Sequence, residues 1–399
     1  MPNQRTAPIW TKTFILLCAA QFLGYAQHSM LSPALPLYVT QLGGSPFIVG
    51  VVLFSFAATS VFVRPLIGYW TDRWNESGVM IFGLLFQGVT IFFCLIPLAE
   101  AAMLANGLRG IGWAALNTGG YSLLARTAPE TRRGEASGYY SGVQSASNIF
   151  FPALALWLIG ASWGGFGLVF TATALFSFAG ALAGWAVARE TPPGVLGGSH
   201  DNAKWWRELF RFVEPKILLP SVLLFWLNIT WPAVINFIVL YARTIGIENL
   251  GIYFVVSGVT SLLARPLLGG ASDRIGRGVC VALGFALQTS AMVLVVMVTT
   301  LAGIITAGAL YMLGNAIGSS ATLALAMERA DPQRRGKAMA TFSLSYPLAY
   351  GVGSLFIGAM IDAAGYVPMF LSLAVLEVAG LFFAFTRRGD LNLDSAVKK

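Results

Sequence analysis

Charged and titratable side chains inside long apolar runs are where this chain could do chemistry. Arg109 stands in LANGLRGIGWAAL, His28 lies about fifteen residues into the first apolar run, and Glu377 sits within the last one. Ionised groups are costly in hydrocarbon and by default mark solute pathways or proton relays. Helical rise puts Arg109 roughly 12 Å from one end of its run, and His28 at a similar depth. The pair could hold an anionic group or exchange a proton, because imidazole titrates near neutrality. The plain alternative is a guanidinium bound to carbonyls and a packed imidazole. Arg109 is expected to be the only basic residue well inside a span, and so the main electrostatic determinant of a central site. Glu377, roughly 13 Å from the end of its run, reads either as a proton carrier or as a structural hydrogen-bonding group.

Neutral polar side chains complete the candidate lining: Gln27, Asn117, Gln144, Asn148, Asn228, Asn236, Asn315 and Tyr346. Each alone is more often a contact between helices than a ligand contact. Trp231 precedes Pro232, so a kink beside a large aromatic is expected there. Gln87 and Gln288 occupy matching places and read as structural. The mixture of amides, aromatics and one Arg suits a medium-sized polar or amphipathic solute. Cys18, Cys94 and Cys280 all fall in apolar runs and fit neither a metal site nor a disulfide framework. His28 and His200 are the only histidines. With no nucleophile–base pair and no phosphate loop, the residues support neither an enzyme nor a cofactor. A lipid flippase remains an alternative on the same fold.

The elements that must position these groups follow from composition. The chain is 56% hydrophobic and 11% charged, with a mean hydropathy of +0.72. A soluble domain carries about 25% charged residues. Apolar runs of about 20 residues recur, the length a helix needs to cross the bilayer. Helices satisfy their own backbone in lipid, and the period-two alternation of a barrel is missing. Twelve spans are expected: 13–36, 46–70, 78–98, 101–125, 136–160, 165–188, 216–241, 248–270, 278–299, 302–326, 338–361 and 365–386. The net charge of +8 follows the positive-inside pattern and does not indicate nucleic-acid binding. Lys and Arg gather in alternate loops and near both termini, which predicts cytoplasmic termini. The start of the chain reads as an uncleaved first span.

The runs are organised in two halves. Arg64 to Arg73 reads RPLIGYWTDR and recurs as RPLLGGASDR at Arg265 to Arg274, about 201 positions later. TAPETRRGEASGYY from Thr127 is answered by RADPQRRGKAMATF from Arg329 at nearly the same offset. Such duplication fixes an architecture before any detail. The predicted organisation is a six-helix bundle over 1–188, a linker over 189–215 with an interfacial helix in KWWRELFRFVEP, and a second six-helix bundle over 216–399. In each decapeptide the Gly (Gly68, Gly269) is expected to let a neighbouring helix approach closely.

Two six-span halves, a central loop and a duplicated G-x-x-x-D-R resemble the major facilitator superfamily, across nearly the whole chain. RP-x-x-G-x-x-x-DR with PE-x-RRGEA-x-GYY is similar to its bacterial drug-efflux-like and metallophore-export-like members. The resemblance implies an all-α fold of twelve transmembrane helices in two pseudo-symmetric bundles. It implies secondary active transport of a small organic solute by alternating access across a bacterial inner membrane. Proton-coupled export by a monomer is expected, with uptake of an organic anion through Arg109 as the alternative. It further implies a conformational latch at Arg64, Gly68, Asp72, Arg73, Arg265, Gly269, Asp273, Arg274 and Arg277. The first copy departs from the pattern: Glu76 stands where the family continues with Arg, so this latch is expected to pair differently. Span 4 has Asn106 at the usual Arg position, with Arg109 three residues on. Only Pro152 survives of the span 5 pattern of drug/proton antiporters.

Overall fold

A computed structural model describes residues 8–73, 75–129, 132–190, 214–269, 275–331 and 335–387. Among them every regular element is helical. The helices are α1 (Lys12–Gln41), α2 (Pro46–Arg73), α3 (Glu76–Thr90), α4 (Ala99–Thr127), α5 (Arg133–Gly160) and α6 (Phe166–Glu190). They continue with α7 (Leu218–Ile229), α8 (Ile238–Thr244), α9 (Gly251–Gly269), α10 (Arg277–Met297) and α11 (Leu301–Arg329). The last are α12 (Arg335–Ser343), α13 (Ser345–Ala364) and α14 (Tyr366–Thr386). Between α7 and α8 the turns widen to a π-helix over Ala233–Phe237, directly after Pro232. That is where the sequence placed a kink.

Ten helical stretches among the described residues are long and apolar enough to cross a membrane. The two expected spans outside this set have different reasons. α4 is 29 residues long but carries Asn106, Arg109 and Asn117 among glycines and alanines, which lowers its mean hydropathy. The apolar part of α9, Gly251–Ala264, is too short to qualify.

The chain divides into two compact units, Met1–Tyr38 with Ser55–Trp205, and Val39–Phe54 with Trp206–Lys399. The short segment Val39–Phe54, assigned above to the first bundle, thus groups with the second unit. The first turns of α2 are held there by α13: Asp362 Oδ2 accepts from Ser45 Oγ at 2.6 Å and from the Phe47 amide at 3.3 Å. A carboxylate suits these free amides at a helix start. Residues 191–213, the greater part of the expected linker and its interfacial helix, lie outside the described residues.

Within each unit one packing pattern repeats. α3 packs on α4 and α6 in the first, and α10 packs on α11 and α14 in the second. Glycines let these helices cross closely. A Cβ on Gly83 would come within 2.6 Å of the Gly112 carbonyl oxygen, and one on Gly284 within 3.0 Å of that of Gly314. Small residues at such crossings bring backbones together where lipid offers no hydrophobic driving force. In contrast, a Cβ at Gly68 would meet nothing within 4 Å among the described residues. No close helix approach occupies that position.

Candidate functional site

In the first unit the polar groups form one connected set. Gln27 is fully buried; its Nε2 donates to the Gln87 carbonyl at 3.0 Å and its Oε1 accepts from Arg109 Nε at 3.3 Å. Arg109 Nη1 also donates to Asn106 Oδ1 one turn earlier, and its Cζ lies 5.3 Å from the centroid of the Phe56 ring. With 2% exposure, Arg109 is enclosed by amides and an aromatic face. His28 covers the set. Its ring stacks on Trp113 at 4.3 Å and on Phe56 at 5.2 Å, and its Nδ1 is buried with no hydrogen bond among the described residues.

Outward from this buried set runs a half-exposed strip. Tyr25 packs on Trp113 with ring centroids 4.5 Å apart, and its hydroxyl donates to Asn117 Oδ1 at 2.9 Å. Asn117 Nδ2 in turn donates to the Trp113 carbonyl at 2.9 Å. Tyr121 and Gln144 meet at 3.2 Å, and Ser29 Oγ donates to Asn148 Oδ1 at 2.6 Å. Residues three or four apart share a helix face. Arg109, Trp113, Asn117 and Tyr121 recur every four residues along α4 and trace one slowly winding strip. That periodicity was the available signal for Trp113 and Tyr121. Nothing in the sequence singled out Phe56, which approaches from α2.

The second unit brings a different set together. Glu377 is fully buried. Its Oε1 accepts from Thr230 Oγ1 at 2.7 Å, and Thr230 Oγ1 lies 2.9 Å from the Tyr311 hydroxyl. Its Oε2 has no hydrogen bond among the described residues. Trp231 approaches Tyr311 with ring centroids 6.2 Å apart. Asn315 Nδ2 donates to Asn228 Oδ1 at 3.3 Å, and Asn228 Nδ2 donates to the Leu224 carbonyl at 2.8 Å. Asn236, in the π-turn, accepts from the Tyr350 hydroxyl at 3.1 Å. Tyr346 is 43% exposed. Gln288 spans helices by donating to the Leu227 carbonyl at 3.1 Å.

Of the expected latch, Asp72 and Arg73 close α2, Arg265 and Gly269 stand in the last turns of α9, and Asp273 and Arg274 lie outside the described residues. Arg277, at the start of α10, is described: it donates to the Ala324 carbonyl at 2.9 Å and forms an ion pair with Glu328. Arg64 is correctly placed in the repeat, but α2 continues unbroken to Arg73, nine residues further. Arg109 is therefore not the only basic residue inside a helical span. No group of His, Cys, Asp and Glu able to hold a metal occurs among the described residues.

The model of the Major Facilitator Superfamily matches residues 17–258 and 218–396. The chain belongs to the Major Facilitator Superfamily. It is a membrane transporter of small molecules and not an enzyme. An uncharacterized MFS-type transporter of Methanocaldococcus jannaschii, MJ1560, is 22% identical over 387 residues, 95% of this chain and 97% of the relative. Quinolone resistance protein NorA of Staphylococcus aureus is 25% identical over 198 residues, 49% of this chain and 47% of the relative. A solved bacterial homologue of the human lysosomal transporter Spinster superposes with a TM-score of 0.79 at 15% identity, covering 98% of this chain and 99% of the other. This major facilitator thus shares its fold with solved transporters and part of its sequence with a drug-resistance protein.

Proposed function

We propose that this protein is a proton-coupled secondary transporter that exports small amphipathic organic solutes by alternating access. The observation that carries the reading is the half-exposed strip of Tyr25, His28, Trp113, Asn117, Tyr121 and Gln144. Aromatic faces with a few fixed amides suit an aromatic solute of medium size. The tyrosines and Trp113 offer large, rigid contact surfaces, and Asn117 and Gln144 hold the two phenols in place. Arg109 acts behind this strip as a positioning residue, because its guanidinium engages Gln27, Asn106 and Phe56. Similarity to NorA and, over 143 residues at 28% identity, to multidrug resistance protein 1 of Bacillus subtilis supports export as the direction. Glu377 and His28 are the carriers we favour for the coupling proton, with Glu377 first because it is a buried carboxyl. The proposed setting is a bacterial inner membrane, with both termini cytoplasmic and the protein monomeric.

The test is transport in proteoliposomes carrying the purified protein and an imposed pH gradient. A panel of anionic, neutral and cationic aromatic solutes is offered. We expect at least one class to move against its own gradient and to stop when a protonophore is added. Equilibration without accumulation would leave a facilitator and end the proton-coupled reading.

A further inference from the structure

We propose that Arg64 is the group through which this transporter recognises an acidic moiety on its solute, making amphipathic organic anions the preferred class. This rests on the aromatic strip being the solute site. Four observations support it.

Arg64 lies nine residues before the end of α2, about 13 Å along a helix axis, and within its apolar stretch Pro46–Thr71. A guanidinium at that depth is costly unless it serves a pathway or finds a partner. Among the described residues Arg64 has no carboxylate partner and no hydrogen bond, and it is partly buried. α2 and α4 run side by side in step through Ser55 with Met103, Thr59 with Gly107 and the Phe56 and Trp113 rings, and Arg64 and Tyr121 follow Phe56 and Trp113 by eight residues each, which sets Arg64 alongside the strip. Neutral phenols do not offset a full positive charge.

There is also room for a ligand group. Gly68, one turn beyond Arg64 and on the same face, has nothing within 4 Å of where a Cβ would stand among the described residues. The planar guanidinium matches a carboxylate or sulfonate through two parallel N–H donors. Tyr25 and Tyr121 carry hydroxyls in the same strip, and Trp113 packs on Tyr25 to offer an apolar surface for the rest of the solute. Arg109 is placed otherwise: it is 2% exposed and its guanidinium is engaged by amide oxygens. An anion reaching the strip therefore meets Arg64 and not Arg109. The matching residue of the second decapeptide, Arg265, lies on α9.

Two dyes with one aromatic skeleton test this. 8-Anilinonaphthalene-1-sulfonate is anionic, and N-phenyl-1-naphthylamine lacks the sulfonate. Saturable binding is measured by fluorescence on the full protein in zwitterionic nanodiscs, with empty nanodiscs subtracted. We expect the wild type to favour the sulfonate by about tenfold or more, the lower end for a hydrogen bond to a charged group. Arg64→Gln should erase that preference and leave the neutral dye unchanged, which also shows that the variant is folded. Arg64→Lys should recover part of the preference, since it keeps the charge and loses the planar fork. Equal wild-type affinities overturn the proposal while the aromatic strip stands. An unchanged preference in Arg64→Gln also overturns it, and is the result a purely conformational latch would give. Saturable binding of neither dye to the wild type overturns both the proposal and the site it rests on.

Discussion

Glu76 and Arg126 tie the start of α3 to the end of α4 at 3.2 Å, while Arg277 and Glu328 tie the start of α10 to the end of α11. The two pairs stand at corresponding places in the two halves with the charges exchanged. The Glu that interrupts the first copy of the loop motif is therefore matched by a partner that changed with it. The environments differ as well. The Glu76 side chain is 3% exposed and Arg126 28%, against 22% for Arg277 and 56% for Glu328. In the first pair the carboxylate is enclosed, and in the second it faces outward. A motif residue can thus be replaced by its opposite without loss of the link, provided that the far end of the neighbouring helix follows.

The buried polar sets repeat this relation deeper in each unit. α1 meets α4 through Gln27 and Arg109; α7 meets α11 through Thr230 and Tyr311. One set is built around a permanent cation, the other around neutral hydroxyls that serve the carboxyl of Glu377. A guanidinium cannot lose its proton in a protein, whereas a carboxyl can carry or release one. The halves share a frame and divide the chemistry.

The largest effect should come from breaking the enclosed pair. Glu76→Arg places like charges together at a buried position, and we expect a loss of about 3–5 kcal/mol. Adding Arg126→Glu restores opposite charges in the arrangement of the second unit. The double variant should regain most of the lost thermal stability in detergent, and failure to do so would show that Glu76 matters for something besides this pair. A middle-sized effect is expected in the second buried set. Thr230→Val removes the donor to Glu377 Oε1 and should cost about 1–3 kcal/mol. The same substitution in a Glu377→Gln background should cost less, as read from the two melting temperatures. The smallest effect belongs to the outward pair: Glu328→Ala should shift stability by less than about 1 kcal/mol. A shift as large as that of Glu76→Arg would remove the distinction between enclosed and exposed pairs.

Much of this architecture was legible in the sequence because the repeat is long and the apolar runs are unmistakable. The separation of Asn106 and Arg109 by three residues also made their contact readable, since helical neighbours need no tertiary information. The remaining relations were hidden for a common reason. Gln27 with Arg109, Tyr25 with Asn117, and Thr230 with Glu377 join residues on helices far apart in the chain. Arg64 was read as part of a helix-end motif; only the continuous run of α2 to Arg73 shows how far inside it stands.

The glycine crossings of α3 with α4, and of α10 with α11, have a mechanical consequence. Contacts between side chains can yield by changing rotamers. A contact between two backbones has no such freedom, and it gives only if a helix itself deforms. Each of these pairs should therefore behave as a single stiff beam, with compliance displaced to helix ends and to the π-turn after Pro232. Amide hydrogens around Gly83, Gly112, Gly284 and Gly314 belong to the part of each unit that opens last.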